Sequence, residues 1–172
     1  MTDSGVTDKA QAGRPDELYQ QIAQRVREIV PNAAVSVSSY DAGSNRLTVR
    51  AVAGLGAAMT TIMELIGRKP AGWEGQMTDK ARSYLLPGKV HRVPGGLYEV
   101  LLRQVPPGIA RFGERLCGFK EIYAAGLVAD DRLLGSVTIG LRKAAGPDDI
   151  DRLQSVITEA ALWLAGRPKQ DV

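Results

Sequence analysis

The 172-residue sequence predicts a mixed α/β (α+β) domain with a mostly antiparallel sheet. Two observations predict the sheet: two pairs of apolar segments, each pair joined by a short polar link, read as hairpins, and short links join antiparallel strands. A third predicts the helical part, because an amphipathic segment precedes the first pair and another follows the second. The length fits one domain, expected over residues 16–166. A disordered tail is expected over 1–15 and a C-terminal tail over 167–172.

Residues 1–14 are rich in Thr, Asp, Ser, Gly and Ala and show no periodicity, the composition of a chain that cannot bury a core. Pro15 and Asp16 open the first helix. Leu18, Ile22, Val26, Ile29 and Val30 form its apolar stripe, and Pro31 stops it. Val35 and Val37 then alternate with serines, and Leu47, Val49 and Ala51 alternate with Thr48 and Arg50. The link between them, Asp41 to Asn45, is turn chemistry, and Gly54 and Gly56 end the second strand.

The middle of the chain carries more glycine and proline. Met59, Ile62, Met63 and Ile66 predict a short helix ended by Gly67. Further helical stretches are expected over 81–86, 97–103 and 109–116, with a short strand over 89–93. Loops on a rigid frame often carry binding, which makes this region the candidate binding segment. The second hairpin is expected over 122–129 and 133–141, turning at Asp130 and Asp131. Gly146 and Pro147 start the last helix, whose stripe is Ile150, Leu153, Ile157, Ala160 and Leu164. Val156 and Trp163 widen that stripe beyond what a sheet covers, which predicts a homodimer through the terminal helices, with Leu18 to Ile29 and Ile150 to Leu164 as the contact.

Several classes of function are excluded at this level. No run of about 18 apolar residues exists to span a membrane, and the N-terminus has no apolar secretory core. The expected location is the cytoplasm. The formal charge of +3 is scattered over the chain, with Glu114 and Glu121 among the densest basic set, Arg103, Arg111, Arg115 and Lys120. That pattern is a solvated face rather than a basic stripe for nucleic acid. One cysteine allows no internal disulfide, and one Cys with one His cannot close a zinc site without carboxylates. No serine elbow or phosphate loop is present, and nothing in the sequence brings Glu64, Glu74 and Glu99 together. The chain is not expected to be an enzyme.

The runs AVSVSSYDAGSNRLTVRAVAGLG (34–56) and GLVADDRLLGSVTIGLR (126–142), followed by PDDIDRLQSVITEAALWLA, resemble a GAF domain over roughly Leu18 to Leu164. The carriers are a hairpin ending in glycine and a later LLG-apolar strand leading to a helix with a proline and acidic start. PAS domains share the architecture; the long gap between the hairpins favours GAF. The resemblance implies a central antiparallel sheet of about five to six strands with helices on both faces, and a ligand pocket between sheet and middle segment. Family members bind cyclic nucleotides, haem, bilins, small acids or aromatics, or nothing, so the cofactor is left unknown. Many sit beside a histidine kinase or a transcriptional output, for which this chain has no room.

The function this implies is a non-catalytic, small-molecule-binding sensory module of a signal-transduction system, relaying ligand state through its terminal helices. A ligand-free dimerisation module and a haem-binding redox or gas sensor are the alternatives. The candidate ligand-binding residues are Trp73, Tyr98, Arg103, Phe112, Cys117 and Tyr123, with Tyr123 foremost because small residues Ala124 and Ala125 follow it. Tyr84 and Phe119 complete the aromatic set, which would equally serve as core. Arg92 and Arg103 could pair with a ligand carboxylate or phosphate, or stand on a solvated face. Cys117 could ligate haem iron through sulfur or sense oxidants, or be an inert buried thiol. His91 could be an axial haem ligand or a phosphoacceptor, or an ordinary strand-edge histidine.

Overall fold

A computed structural model describes the backbone of residues 5–65, 67 and 71–166. The elements run α1 (Gly5–Ile29), β1 (Ala34–Asp41), β2 (Arg46–Ala53), α2 (Gly56–Leu65), β3 (Glu74–Gln76), α3 (Asp79–Leu85), β4 (His91–Arg92), α4 (Gly96–Val100), α5 (Pro107–Cys117), β5 (Glu121–Ala129), β6 (Arg132–Leu141) and α6 (Pro147–Leu164). The six strands form one antiparallel sheet in the order β3-β2-β1-β6-β5-β4. This agrees with the expected sheet of five to six antiparallel strands, and helices cover both of its faces.

Both hairpins stand where the sequence places them. In the first, the Asp41 carboxylate accepts hydrogen bonds from the Ser44 amide at 3.2 Å and its hydroxyl at 2.6 Å, and Asn45 takes a left-handed φ of 55°. In the second, Asp130 and Asp131 take left-handed φ values of 53° and 58°. Asp and Asn tolerate that region because their short polar side chains bond locally.

Several expectations differ from the structure, among them the helix expected over 97–103, which ends at Val100, and the strand expected over 89–93, which is confined to His91–Arg92. The first helix begins at Gly5, so Pro15 lies within it instead of opening it, and helical backbone covers residues 5–14 of the expected tail. Residues 1–4 and 167–172 lie outside the described residues, as does the expected end of the middle helix at Ile66. In β2 the alternation of Leu47, Val49 and Ala51 breaks. Val37 pairs with Ala51 but Ser38 with Val49, so Arg50 is a bulge residue. A bulge adds one residue to one strand and flips the faces beyond it, which puts Leu47 and Val49 on one face and Ala51 on the other. Finally, β3 has no alternation in the sequence; it forms because Glu74, Gly75 and Gln76 can pair along the exposed edge of β2.

One face of the sheet carries α1 and α6. Their stripes, Ile22, Ala23 and Val26 from α1 and Leu153, Ile157 and Ala160 from α6, are fully buried against Val35, Val37, Ala125, Leu127, Val137 and Ile139. The two helices also meet each other through Arg25 and Glu159 at 3.1 Å. The Gln154 side chain ties α6 to the chain entering β4. It accepts from the Val90 amide at 2.7 Å and donates to the Gly88 carbonyl at 2.9 Å. The other face carries the short helices: α3 and α4 lie on β5, and α5 packs on α2 and α4. Among the described residues, no helix is long and apolar enough to cross a membrane.

Candidate functional site

The site is built from the side chains that alternate away from α1 and α6. Ser36 of β1 stands opposite Thr138 of β6, which stands opposite Ala124 of β5. One rung along, Ala34, Gly140 and Ile122 form the next row. Four of these six residues are no larger than serine, so the floor is low. At Gly140, an added Cβ would stand 2.8 Å from the Phe119 ring, so the absent side chain is what lets that ring lie on the sheet.

Over this floor lie Leu55 after β2, Met63 of α2, Leu97 and Val100 of α4, and Phe119 before β5. Together they line a cavity of about 90 Å³ that is partly open to solvent, with Val49, Val52, Trp73 and Leu101 in its walls. A second cavity of about 40 Å³ adjoins it, and Val100 and Thr138 line both. Glu99 lines the second cavity only.

The chain after α4 forms a strap along the site. Leu102 and Arg103 take left-handed φ values of 55° and 58° in succession, which costs free energy for residues with a branched or long side chain. Three contacts hold it. Arg103 bonds the Glu99 carboxylate from Nη2 at 2.9 Å and from Nε at 3.2 Å. Trp73 Nε1 donates to Gln104 Oε1 at 3.0 Å. The strap also lies on Gly75 of β3, where an added Cβ would stand 2.6 Å from Leu102 Cδ1 and against the Gln104 amide. Glu99 is 7% exposed and also meets Lys80 Nζ at 3.4 Å. The Arg103 hydrogen bonds hold its carboxyl below the ordinary glutamate range, against burial, which pushes it up; Lys80 adds to the lowering.

The expected site residues are not brought together. Trp73 lines the larger cavity. Tyr98 packs into the second-layer core beside it, with the Arg103 guanidinium 5.9 Å from its ring centre, and neither side chain lines either cavity. Phe112 is 51% exposed on the outer side of α5. Cys117 is buried in the second-layer core, where burial pushes its thiol pKa up against the opposing Arg142 charge. That is an inert thiol by its environment. Tyr123, the foremost candidate, lies on the α6 face: it stands opposite Ile139 and packs on that core. Burial raises its pKa, and its hydroxyl donates to Glu121 at 3.0 Å. Period two decides this, since Ile122 and Ala124 face the cavity side and Tyr123 between them cannot.

The remaining candidates are equally dispersed. His91, the other proposed haem ligand, lies on edge strand β4 with its ring 5.1 Å from that of Tyr84 and its Nδ1 3.0 Å from the Lys89 carbonyl. Arg92 borders a separate polar recess with Glu114, Lys120 and Glu121. Glu64 is exposed on α2, Glu74 is exposed and faces Arg46 at 3.8 Å, and Glu99 is buried, so the three carboxylates share no cleft. Among the described residues, no three of His, Cys, Asp and Glu cluster where a metal could sit. Ser36, Thr138 and Gly140 also line the cavity and had one usable signal in the sequence, a strand whose two faces are apolar and small or polar in turn, whereas Val52 of β2 had none.

No protein-family model matches the chain, and neither does any curated protein. Solved structures do. The chain is similar to the blue-light absorbing form of the PixJ GAF domain of Thermosynechococcus elongatus, with TM-score 0.63 at 15% identity over 90% of this chain and 87% of that one. It is similar to the GAF domain/HD domain protein from Geobacter sulfurreducens, with TM-score 0.62 at 15% identity over 88% and 92%. A third is the chromophore-binding domain of the bacteriophytochrome RpBphP3 from R. palustris, with TM-score 0.60 at 14% identity over 88% and 55%. With its antiparallel sheet between two terminal helices and a helical second layer, the chain has a GAF-like fold.

Proposed function

We propose that the chain is a non-catalytic, small-molecule-binding sensory module of a signal-transduction system, its ligand seated between the sheet and the second layer. One observation carries this reading: an apolar cavity lies over a floor of small residues on strands whose other face holds both terminal helices. Ser36 and Thr138 on the floor alternate with Val35, Val37, Val137 and Ile139 under α1 and α6. A ligand that shifts β1 or β6 therefore moves side chains packed on the helices, which would pass the change to an output partner. A histidine kinase, a transcriptional output or an HD domain, as in the Geobacter protein, fits that role. The module would work in the cytoplasm without touching membrane or nucleic acid; several of its basic side chains are already paired with its own carboxylates.

Native mass spectrometry of the protein purified from its source tests the reading. A small molecule should be retained and should be lost in Ser36→Leu, which fills the floor. A molecule retained by Ser36→Leu puts the site elsewhere, and bare protein from every preparation leaves the reading without a ligand.

A ligand-free homodimerisation module is the second reading, favoured by Leu162, which stands 39% exposed near the end of α6. Trp163 acts against it: the indole packs on its own core with the Arg25 guanidinium 5.4 Å above it. Light scattering at micromolar concentration separates the two. A dimer mass that falls to monomer in Leu162→Glu supports dimerisation through α1 and α6, and a monomer mass in both proteins removes it.

A further inference from the structure

The cavity's chemistry restricts what it can hold, an inference that rests on the reading of that cavity as the ligand site. Among the described residues, none of its lining side chains is charged. Ser36 and Thr138 supply its hydroxyls, side by side across β1 and β6. The nearby ion cluster does not help a charged ligand, because Glu99 faces the smaller cavity and is already bonded to Arg103 and Lys80. A carboxylate or phosphate set among Val49, Val52, Met63 and Ile122 would give up its hydration with no counter-charge in return.

Size restricts the ligand further. Pockets for drug-sized molecules run to about 300–1,000 Å³, whereas this cavity holds about 90 Å³ and its neighbour about 40 Å³. The floor cannot drop, since Val35, Val137 and Ile139 behind it are fully buried. Trp73 and Phe119 add ring surface to the walls, which suits a flat partner.

We infer that the cavity takes a compact, uncharged aromatic molecule of one ring. Such a ligand carries at most one hydroxyl-like group for Ser36 and Thr138. Ligands with carboxylates or phosphates are rejected, open-chain tetrapyrroles and cyclic nucleotides among them.

Three probes of equal ring size test this: toluene, phenol and benzoate. The chain has two tryptophans, so Trp163→Phe leaves Trp73 as the reporter in the cavity wall. Toluene and phenol should change its fluorescence saturably and bind at least about tenfold more tightly than benzoate, and Ser36→Leu should abolish both. Calorimetry on the unaltered protein repeats the comparison should Trp163→Phe fold poorly. Benzoate binding as tightly as phenol, and blocked by Ser36→Leu, overturns the ligand class while the site stands. Saturable binding that Ser36→Leu leaves intact overturns the site as well. Absence of binding by all three overturns the class, and the co-purification experiment then decides separately whether the cavity holds some other ligand.

Discussion

On the α1/α6 face of the sheet, Val35, Val37, Val137 and Ile139 are completely buried beneath two long helices. On the reverse of the same two strands stand Ser36, Ser38, Ser136, Thr138 and Gly140, beneath helices of five to eleven residues. The register that fixes one face fixes the other, so the two sides differ only in side-chain volume and in what covers them. Large side chains meeting long helices fill the space to interior density. Small ones meeting short, separately anchored helices leave a hollow. The difference is one of packing: one face spends its apolar surface on stability, and the other leaves a cavity.

Neighbouring positions on β6 test that contrast most severely. Ile139→Asp puts an unpaired charge in the filled face and should cost at least about 3 kcal/mol, or prevent folding. Thr138→Val, one residue away on the hollow face, should change stability by less than about 1 kcal/mol, because its side chain borders open space rather than packed neighbours. Chemical denaturation of both variants checks this, and comparable losses would mean that the hollow face is packed as tightly as the filled one.

A smaller effect is expected where the two layers are tied together at the edge. Arg142 donates to the carbonyls of Cys117 at 3.0 Å, Asn32 at 2.5 Å and Gly54 at 3.3 Å, with its guanidinium over the Phe119 ring. It thus joins the end of α5 to the chain on both sides of the first hairpin. Arg142→Ala should cost about 1.5–3 kcal/mol. Arg142→Lys should recover little of it, because an ammonium cannot reach three carbonyls from one planar fork. Full recovery in the lysine variant would show that charge, not geometry, does the joining.

The strap sharpens the comparison from the side of the hollow. Gly75→Ala should displace the flexible ends of Leu102 and Gln104 and cost less than about 1 kcal/mol. Hydrogen exchange of the amides of residues 101–104 should nevertheless quicken, while amides of β1 and β6 stay protected. Unchanged exchange at the strap would show that β3 does not support it.

The smallest effect is the pH response of the same strap. Glu99 titrates below its ordinary value in the folded protein, chiefly through Arg103. A depressed carboxylate contributes stability that is whole above the unfolded value, about 4.3, and is lost as pH falls through the lower folded value. Strap opening, read as exchange corrected for its intrinsic pH dependence, should therefore be flat from neutral pH down to about 4.3 and rise only below it. Arg103 and Lys80 are nearly half exposed, so the effect is small. Glu99→Gln should remove the acid-side rise, and a rise that persists in this variant assigns it to another group.

Much of the fold was legible because period and turn chemistry are local. The stripe Ile22–Val26 and the stripe Leu153–Ile157–Ala160 announce helices whose buried faces the structure confirms. The links at Asp41 to Asn45 and at Asp130 and Asp131 announce hairpins from residues that tolerate the left-handed region. The candidate site was much less legible. Aromatic residues in the middle segment pointed to Trp73, which lines the cavity, and equally to Phe112, which is exposed, and to Tyr123, which lies on the α1/α6 face. Residue type says what a side chain can bind; it does not say which way the chain turns it.

By itself, then, the sequence determined the two hairpins, the two terminal helices and the antiparallel sense of their pairing, since each depends on residues within a few positions of one another. Tertiary structure alone decided the bulge at Arg50, the edge strand at Glu74 to Gln76 and the strap over Gly75, because each forms only against a partner distant in the chain. It also decided the cavity. An empty space is set by how far apart Met63, Leu97 and Phe119 are held above Ser36 and Thr138, and no single segment contains that distance.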